Sequence, residues 1–369
     1  MNRCALITLV VLAVLLAAPV RLLTTAKSGQ GRANALSKPT VKVVDMAGRT
    51  VEIPAEVRKA ACLDVLCYQK LLMLGVSDRA VMMYFTDAPW MPVADPNLER
   101  IPKIEGEPNL EDLLESGADV AFFAYDAKRT AKKLASIDVP GVVSQPQGKR
   151  ARDIAGFVEE TRRSVLLYGE VMGGEALLQA KAWCDYFDAR VRYVTARTGP
   201  IPENRRPRVF YLRGPTSNHT QGVSGDTFWY GELAGGDMVV KNDTLAVKGP
   251  VSMEKIIEWN PNFVLVGRRY PVDMVLKDSR WSNTNAVKTG GVQPCPSGVF
   301  YWDGGLEGVL LMEWLAKKLH PDLFEDLDLV AEVKDFYLRF YRCALSDEQA
   351  GKLVAGLGPD GVRRRLYNN

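Results

Sequence analysis

The sequence predicts an α/β protein with two lobes joined by one long helix. Short apolar runs typical of buried strands alternate with helical patterns before residue 150 and again after residue 207. Such alternation favours parallel sheets covered by helices on both faces. Between these regions, residues 152–197 show almost no strand signal. The length of 369 residues also suits two domains better than one.

The first lobe is assigned to residues 41–150. Two β-rich runs within residues 41–53 flank Gly48, which predicts a hairpin. The elements predicted after it are strands 59–63, 80–83, 119–123 and 141–143 and helices 68–74, 109–115 and 127–137.

A helical segment, residues 151–198, is predicted to connect the lobes. Gly173 and Gly174 divide it, and apolar residues then recur at helical spacing, which predicts an interlobe backbone helix over residues 175–197. The second lobe is assigned to residues 207–369. Its predicted elements are strands 208–212 and 263–266 and helices 227–233, 254–259, 306–319 and 326–341.

The N-terminus predicts export to the periplasm or another extracytoplasmic compartment. Arg3 is followed by an apolar run over residues 5–19, which is the pattern of a secretory signal and is shorter than a spanning helix. We assign residues 1–35 as the signal peptide, with the small residues 33–35 as a cleavage site far from the apolar run. An uncleaved membrane anchor is the alternative.

The charge balance gives no reason to expect nucleic acid as a partner. Residues 1–35 carry four basic and no acidic side chains, so the 47 basic and 44 acidic residues of the whole chain become 43 and 44 without them. A near-neutral mature chain lacks the basic excess of nucleic-acid-binding proteins.

The cysteines leave two interpretations open. Five of the six lie after the signal, an odd number. Cys62 and Cys67 are close enough in sequence to pair, although Cys62 falls in a strand predicted to be buried. Small buried hydrophobic side chains are the simpler interpretation, and a single disulfide is the other.

At this point the chain resembles a known family, the class III periplasmic binding proteins for iron-siderophores, cobalamin and haem. The resemblance extends from Val41 to Leu357 and rests on the order and spacing of several short segments. These are residues 45–54, 108–114, 118–120, 232–236, 251–257, 259–261, Trp281 and 285–290.

The resemblance implies two Rossmann-like lobes with the ligand cleft between them and little hinge motion. It also implies an ABC permease in the membrane as partner, with Glu111 and Glu254, one in each lobe, docking on it. Without the family, each glutamate would be only a favourable first-turn residue of a short helix. We expect a monomer with no cofactor of its own, because iron or cobalt would arrive within the ligand.

Candidate ligand-binding residues lie on loops at the carboxyl ends of the predicted strands. Aromatic rings suit a bulky or planar ligand, and neighbouring arginines suit an anionic one. Core packing is the alternative for each ring, and a solvated surface pair is the alternative for the arginines. The candidates are Tyr84, Trp90, Tyr125, His219, Trp229, Arg268, Arg269, Tyr270, Tyr301 and Trp302.

A ferric siderophore is the first ligand expected, followed by haem or cobalamin. A bare-metal site is disfavoured, because the chain has only two histidines and a tetrahedral zinc site normally needs three or four protein ligands. Residues 296–303 resemble a branch that includes oxyanion binders for molybdate and tungstate. Residues 304–307 depart from the serine- and proline-rich stretch of that branch, so an oxyanion is kept as the alternative.

An enzyme of the metal-cluster or chelatase type is the alternative of another class. The sequence contains no phosphate-binding glycine-rich loop, no Gly-x-Ser-x-Gly elbow and no Cys-x-x-Cys pair. The export signal also argues against a nucleotide-dependent cytoplasmic catalyst. We therefore expect a binding protein and no catalytic residues. A cell-surface adhesion or structural module is a third possibility.

Overall fold

The first described element is the predicted hairpin. A computed structural model describes residues 39–106, 108–124, 127–145, 151–223, 225–241 and 248–364. The predicted signal and Tyr125 lie outside these residues. Strand β1 (Thr40–Val44) pairs antiparallel with β2 (Thr50–Pro54), and Gly48 in the turn has a φ of +75°. Glycine adopts this left-handed conformation without a steric cost.

The first half contains a five-stranded parallel sheet. Its strands are β3 (Ala60–Leu63), β4 (Ala80–Tyr84), β5 (Lys103–Ile104), β6 (Val120–Phe123) and β7 (Gly141–Val143). They lie in the order β5-β4-β3-β6-β7. The helices of this half are α1 (Cys67–Met73), α2 (Met91–Ala94), α3 (Leu110–Ser116) and α4 (Ala127–Ala135). Every residue of the central β3 and β6 is buried, as expected for strands packed on both faces.

The second half contains a mixed sheet. Its strands are β8 (Arg208–Leu212), β9 (His219–Gln221), β10 (Asp237–Met238), β11 (Lys248–Pro250), β12 (Phe263–Val266) and β13 (Val292–Pro294). Strands β8, β12 and β13 are parallel neighbours, β10 pairs parallel with β8, and β9 and β11 extend the sheet antiparallel. The polar strands β9 and β11 were not predicted from the sequence.

Helices cover this second sheet and follow it to the C-terminal end. They are α7 (Asp226–Leu233), α8 (Met253–Trp259), α9 (Asp273–Leu276), α10 (Asn285–Lys288), α11 (Gly308–Leu319), α12 (Leu329–Phe336) and α13 (Asp347–Val354).

Two long helices connect the halves. Helix α5 (Ile154–Met172) ends at Gly173, and α6 (Gly174–Thr198) continues without interruption for 25 residues. Gly173 and Gly174 have φ values of +68° and +51°, which is why the predicted break falls there. Helix α5 packs against β1 and α1 of the first half and α7 of the second, while α6 packs against α5, α7 and α11.

The C-terminal segment returns to the first half. Helix α12 continues into a π-helical turn, Tyr337–Tyr341, which contacts α1. The indole nitrogen of Trp90 donates a hydrogen bond of 2.8 Å to the carbonyl of Leu357. The two halves are therefore joined by more than the helical pair.

The predicted α/β fold with two lobes is confirmed, whereas the lobe boundaries at 41–150, 151–198 and 207–369 stay a prediction. Strands β7, β8 and β12 have the predicted bounds. Among the described residues, no helix combines the length and the apolar character needed to span a bilayer.

Candidate ligand-binding cleft

A cavity of about 800 Å³ lies between the two halves. Residues that follow β3, β7, β8 and β12 line it, together with one face of α5. It therefore opens at the carboxyl ends of parallel strands, where ligand sites of α/β sheets are found.

Lys70 supplies a buried positive charge to the cavity wall. This side chain of α1 is only 4% exposed, and its Nζ donates a hydrogen bond of 2.8 Å to Ser164 Oγ of α5. Burial lowers the pKa of Lys70, while the negative charges of Asp64 and Asp226 oppose that shift. No ion pair links Lys70 to a carboxylate in the described part of the chain. Its Nζ also lies 4.7 Å from the centre of the Tyr168 ring, and the ammonium protons not given to Ser164 can serve a ligand.

Arg213 supplies a second positive charge. It directly follows β8, lines the cavity and lies with its guanidinium carbon 5.6 Å from the centre of the Tyr270 ring. Within the described ranges, its guanidinium makes no hydrogen bond to protein. A planar guanidinium in this position can offer a bidentate pair of donors.

The predicted Arg268 also lines the cavity, but it is committed to Asp303. Its Nε lies 2.6 Å from Asp303 Oδ1, and its backbone N–H donates to Oδ2 at 2.9 Å. The hydroxyl of Tyr211 donates to the same carboxylate at 2.7 Å. Burial raises the pKa of Asp303, but Arg268 and Arg213 outweigh burial and hold it below its usual value. Arg268 therefore shapes the wall as half of a buried ion pair.

Arg269 and Tyr270 line the cavity beside it. Arg269 has a φ of +64°, uncommon for a residue other than glycine, and its Nη1 lies 2.9 Å from Asp87 Oδ2. Asp87 belongs to the first half, so this ion pair bridges the halves at the cleft. Both predicted arginines thus reach the cleft, and both already have a carboxylate partner.

The predicted His219 lines the cavity from β9. Its Nδ1 is in hydrogen-bonding contact with the hydroxyl of Thr216, and the ring is partly exposed. Nε2 is left as the ring nitrogen that can face a ligand.

Several predicted rings do not line this cavity, which corrects the sequence analysis. Trp90 and Trp302 are fully buried in the core, and Trp229 stacks on Phe157 with their centres 6.3 Å apart. Tyr84 donates from its hydroxyl to the Gly106 carbonyl on the first half. Tyr301 is buried as well and donates to Asp87 Oδ1 at 3.2 Å. Tyr125 lies outside the described residues.

The rings outside the cavity were assigned wrongly because a ring that follows a strand can turn either towards the cleft or into the core. The C-terminal segment covers Trp90, and this contact cannot be predicted from the sequence pattern around Trp90. The aromatic rings that do line the cavity are Phe157, Tyr230, Tyr270 and Phe300, and only Tyr270 was among the candidates.

Lys70, Arg213 and Ser164 are among the polar cavity residues that the sequence analysis missed. Arg213 could have been found, because it directly follows the apolar run 208–212. Lys70 sits in a short apolar helix, where a lysine usually belongs to the solvated face.

Glu111 and Glu254 occupy matching local positions. Each is exposed and is the second residue of a seven-residue helix, α3 or α8. Side chains of Asn109 and Ser252 cap these helices by accepting hydrogen bonds from backbone N–H groups. Both carboxylates are thus presented outward by rigid, capped turns.

Comparison with known proteins gives relatives over most of the chain, although no protein-family model matches it. The molybdate-binding protein MolA of Haemophilus influenzae is 27% identical over 341 residues, covering 84% of this chain and 93% of the relative. The structure of that protein bound to molybdate superposes with a TM-score of 0.72 at 25% identity, covering 83% of this chain and 99% of the other.

Other structural neighbours share the fold at lower identity. A periplasmic solute-binding protein of Veillonella parvula has a TM-score of 0.72 at 24% identity, covering 86% of this chain and 97% of that one. The petrobactin-binding protein YclQ of Bacillus subtilis has a TM-score of 0.60 at 16% identity, covering 77% and 99%. The neighbours are class III periplasmic solute-binding proteins of ABC transporters, so the resemblance seen in the sequence is confirmed.

Proposed function

We propose that this chain, which has the fold of the class III periplasmic solute-binding proteins, is the extracytoplasmic substrate-binding component of an ABC importer. We further propose that its ligand is a small oxyanion of the molybdate and tungstate type. The observation that carries the proposal is the pair of cations, Lys70 and Arg213, which line the cleft and form no ion pair with a carboxylate of the described residues.

The electrostatics of the cleft favour an anion. Burial destabilises the ammonium of Lys70, and the nearby charges of Asp64 and Asp226 offset only part of that cost, since the pKa of Lys70 is still lowered. A bound anion would offset more of it. Lys70 offers N–H donors beyond the one given to Ser164, Arg213 offers a planar pair, and the hydroxyl of Ser164, which accepts from Lys70, adds a neutral donor nearby. A tetrahedral dianion has four oxygens that accept hydrogen bonds and no hydrogen to donate. It therefore matches a site whose side chains supply donors.

Acidic residues limit which anions fit. Glu160, Asp226 and Asp303 also line the cavity, and Asp303 is neutralised by Arg268. We expect the ligand to take its donors from Lys70 and Arg213, although the negative charge of Asp226 also acts on Lys70 and limits how much further negative charge that side of the cavity accepts. The 27% identity to the molybdate-binding protein of Haemophilus influenzae supports the same ligand class.

A ferric siderophore is the second candidate, and one observation favours it. A cavity of about 800 Å³ falls in the range that holds drug-sized ligands, roughly 300–1,000 Å³. A tetrahedral oxyanion alone would leave much of that volume to water. The petrobactin-binding neighbour also shows that the fold accommodates a siderophore. Haem and cobalamin have less support, because the tryptophans expected to stack on a flat ligand lie in the core.

Isothermal titration calorimetry separates the two candidates. The purified protein is titrated with molybdate, tungstate, sulfate and phosphate, and separately with ferric catecholate and ferric citrate-type siderophores. We expect micromolar or tighter binding of molybdate and tungstate and much weaker binding of sulfate, which has the same charge but shorter bonds. Binding of a ferric siderophore together with no heat from any oxyanion at millimolar concentration would support the second candidate instead.

A further inference from the structure

Two cysteines lie in contact beneath the cleft. Cys62 belongs to β3 and Cys67 begins α1, and their sulfur atoms are 2.6 Å apart. A disulfide bond measures ~2.05 Å, so the two sulfurs are within about 0.6 Å of bonding distance. Both residues are fully buried.

The other described cysteines lack a sulfur neighbour. The thiol of Cys184 contacts the Arg162 carbonyl at 3.7 Å, and that of Cys343 contacts the Val93 carbonyl at 3.9 Å. Cys295 is buried in the second half. Cys62 and Cys67 are thus the one close pair among the cysteines of the described residues.

We propose that Cys62 and Cys67 are joined by a disulfide in the exported protein. Formation of the bond removes two electrons and two protons from the thiols. A protein disulfide of the thiol-oxidase class accepts them by thiol–disulfide exchange and becomes a dithiol. Exported chains meet such oxidants, whereas cytoplasmic chains are kept reduced.

Burial determines when the bond can form and how long it lasts. Exchange requires an accessible thiolate, and both sulfurs are shielded once β3 and α1 have packed. The bond must therefore form before folding is complete. After folding, the same burial protects it from reductants.

The disulfide would fix the loop that forms part of the cleft. Between the two cysteines, Val65 and Leu66 line the cavity, and Asp64 accepts hydrogen bonds from Ser144 Oγ at 2.6 Å and Gln145 Nε2 at 3.1 Å. Ser144 and Gln145 line the cavity as well. A cross-link from the end of β3 to the start of α1 closes this loop covalently and holds Asp64 in place.

Peptide mapping tests the proposal directly. Tryptic cleavage after Lys59 and Lys70 places both cysteines in one peptide, residues 60–70. The full chain is exported to the periplasm of an expression host, denatured in acid, alkylated with iodoacetamide without reductant, and digested. We expect this peptide two hydrogens lighter than the dithiol form and unlabelled, and doubly labelled only after reduction.

Internal controls come from the same digest. The peptide containing Cys184, residues 182–190, should carry one label with or without reductant. Protein made in the reducing cytoplasm should give a doubly labelled 60–70 peptide. Two labels on this peptide from the exported protein, without reductant, would overturn the proposal.

A stability measurement gives an independent check. Reduction, or the double variant Cys62→Ala/Cys67→Ala, should lower the melting temperature of the exported protein by about 4 °C, as expected for opening a short covalent loop in a chain of this size. Cys184→Ala is the matched variant, and reductant should still lower its melting temperature. Because burial protects the bond in the folded state, the exported protein is reduced while unfolded in denaturant and then refolded. A melting temperature unchanged by this treatment would contradict the proposal.

Discussion

The side-chain amide of Gln69 donates a hydrogen bond of 3.0 Å to Glu307 Oε2, which ties α1 of the first half to the start of α11 in the second. Gln69 also donates to the Tyr341 hydroxyl at 2.8 Å and accepts from the backbone N–H of Leu306 at 3.1 Å. Gln69 and Leu306 line the cleft, so this buried hydrogen-bond network lies at the cleft wall.

Glu307 should make stability depend on pH. Burial raises its pKa to about 7, although Tyr337, Phe300, Val299 and Gln69 donate hydrogen bonds that oppose the shift. Between about pH 4.5 and 7 the folded state keeps the proton and the unfolded state loses it. The free energy of unfolding should therefore fall as pH rises through that window, by up to about 3 kcal/mol from this residue.

The matched variant is Glu307→Gln, which cannot ionise. Urea unfolding measures the free energy of unfolding of both proteins at pH 5, 6, 7 and 8. In the difference between the two values, the contributions of the other titrating groups cancel. We expect the variant to be less stable at pH 5 by roughly 1–3 kcal/mol, since its amide N–H groups would face existing donors. The gap should narrow towards pH 8. Parallel pH curves would show that Glu307 does not titrate in this range.

Lys70→Met should weaken ligand binding without weakening the fold. Charge-assisted hydrogen bonds are each worth roughly 1.5–3 kcal/mol, so we expect affinity for molybdate to fall about 100-fold. The methionine fills a similar volume and removes a buried charge, so the melting temperature should stay equal or rise. Calorimetry and thermal unfolding measure the two effects.

Lys132→Met is the control for that variant, because Lys132 is exposed on α4. It should bind with wild-type affinity. If Lys70→Met also binds normally, the oxyanion does not lie at Lys70 and the proposed ligand position is wrong.

Asp303→Asn should destabilise the protein strongly. The substitution keeps the shape of the side chain but leaves the guanidinium of Arg268 buried without its countercharge, which typically costs about 3–5 kcal/mol. Asp87→Asn is the comparison, because its pair with Arg269 is about one-third exposed on each side and should cost less than roughly 1 kcal/mol. Urea unfolding at pH 7 measures the loss of unfolding free energy in both variants. Equal losses would contradict the distinction between the buried and the partly exposed ion pair.

Continuous apolar runs made much of the fold predictable. The strands at 141–143, 208–212 and 263–266 were placed to the residue, because buried parallel strands leave an unambiguous pattern between turn signals. The polar strand at His219 was missed, because it pairs antiparallel at the side of the sheet and carries no such pattern.

The cleft was predictable in position but not in composition. Arg268, Arg269, Tyr270 and His219, which were chosen from strand ends, line the cavity, and their role in ligand binding stays a prediction. Trp90 and Trp302 were predicted to line the cleft but are buried in the core. Burial of those rings depends on contacts between residues far apart in the sequence. The position of Lys70 depends on the same kind of contact, since its hydrogen bond to Ser164 forms only where α5 packs on α1 at the cavity wall.

Glu111 and Glu254 should be needed for delivery of the ligand to the permease and not for binding of the ligand. Neither lines the cavity, and both project from capped first turns into solvent. If they dock on basic residues of the permease, Glu111→Ala/Glu254→Ala should keep its affinity for ligand. It should also lose most of its ability to stimulate ATP hydrolysis by the reconstituted transporter. The carboxylates are exposed, so this loss should resemble the effect of high salt on the wild-type protein, because screening weakens the same contacts.

The control variant is Glu115→Ala/Glu258→Ala, which removes two exposed carboxylates from the same two helices. Net charge changes equally in both double variants, so a general electrostatic effect would weaken them alike. A docking role predicts that only the first pair fails, and that each single variant, Glu111→Ala or Glu254→Ala, is intermediate because one lobe remains engaged. Loss of ligand affinity in the first pair would instead place these residues in the binding machinery, against their exposed positions outside the cleft.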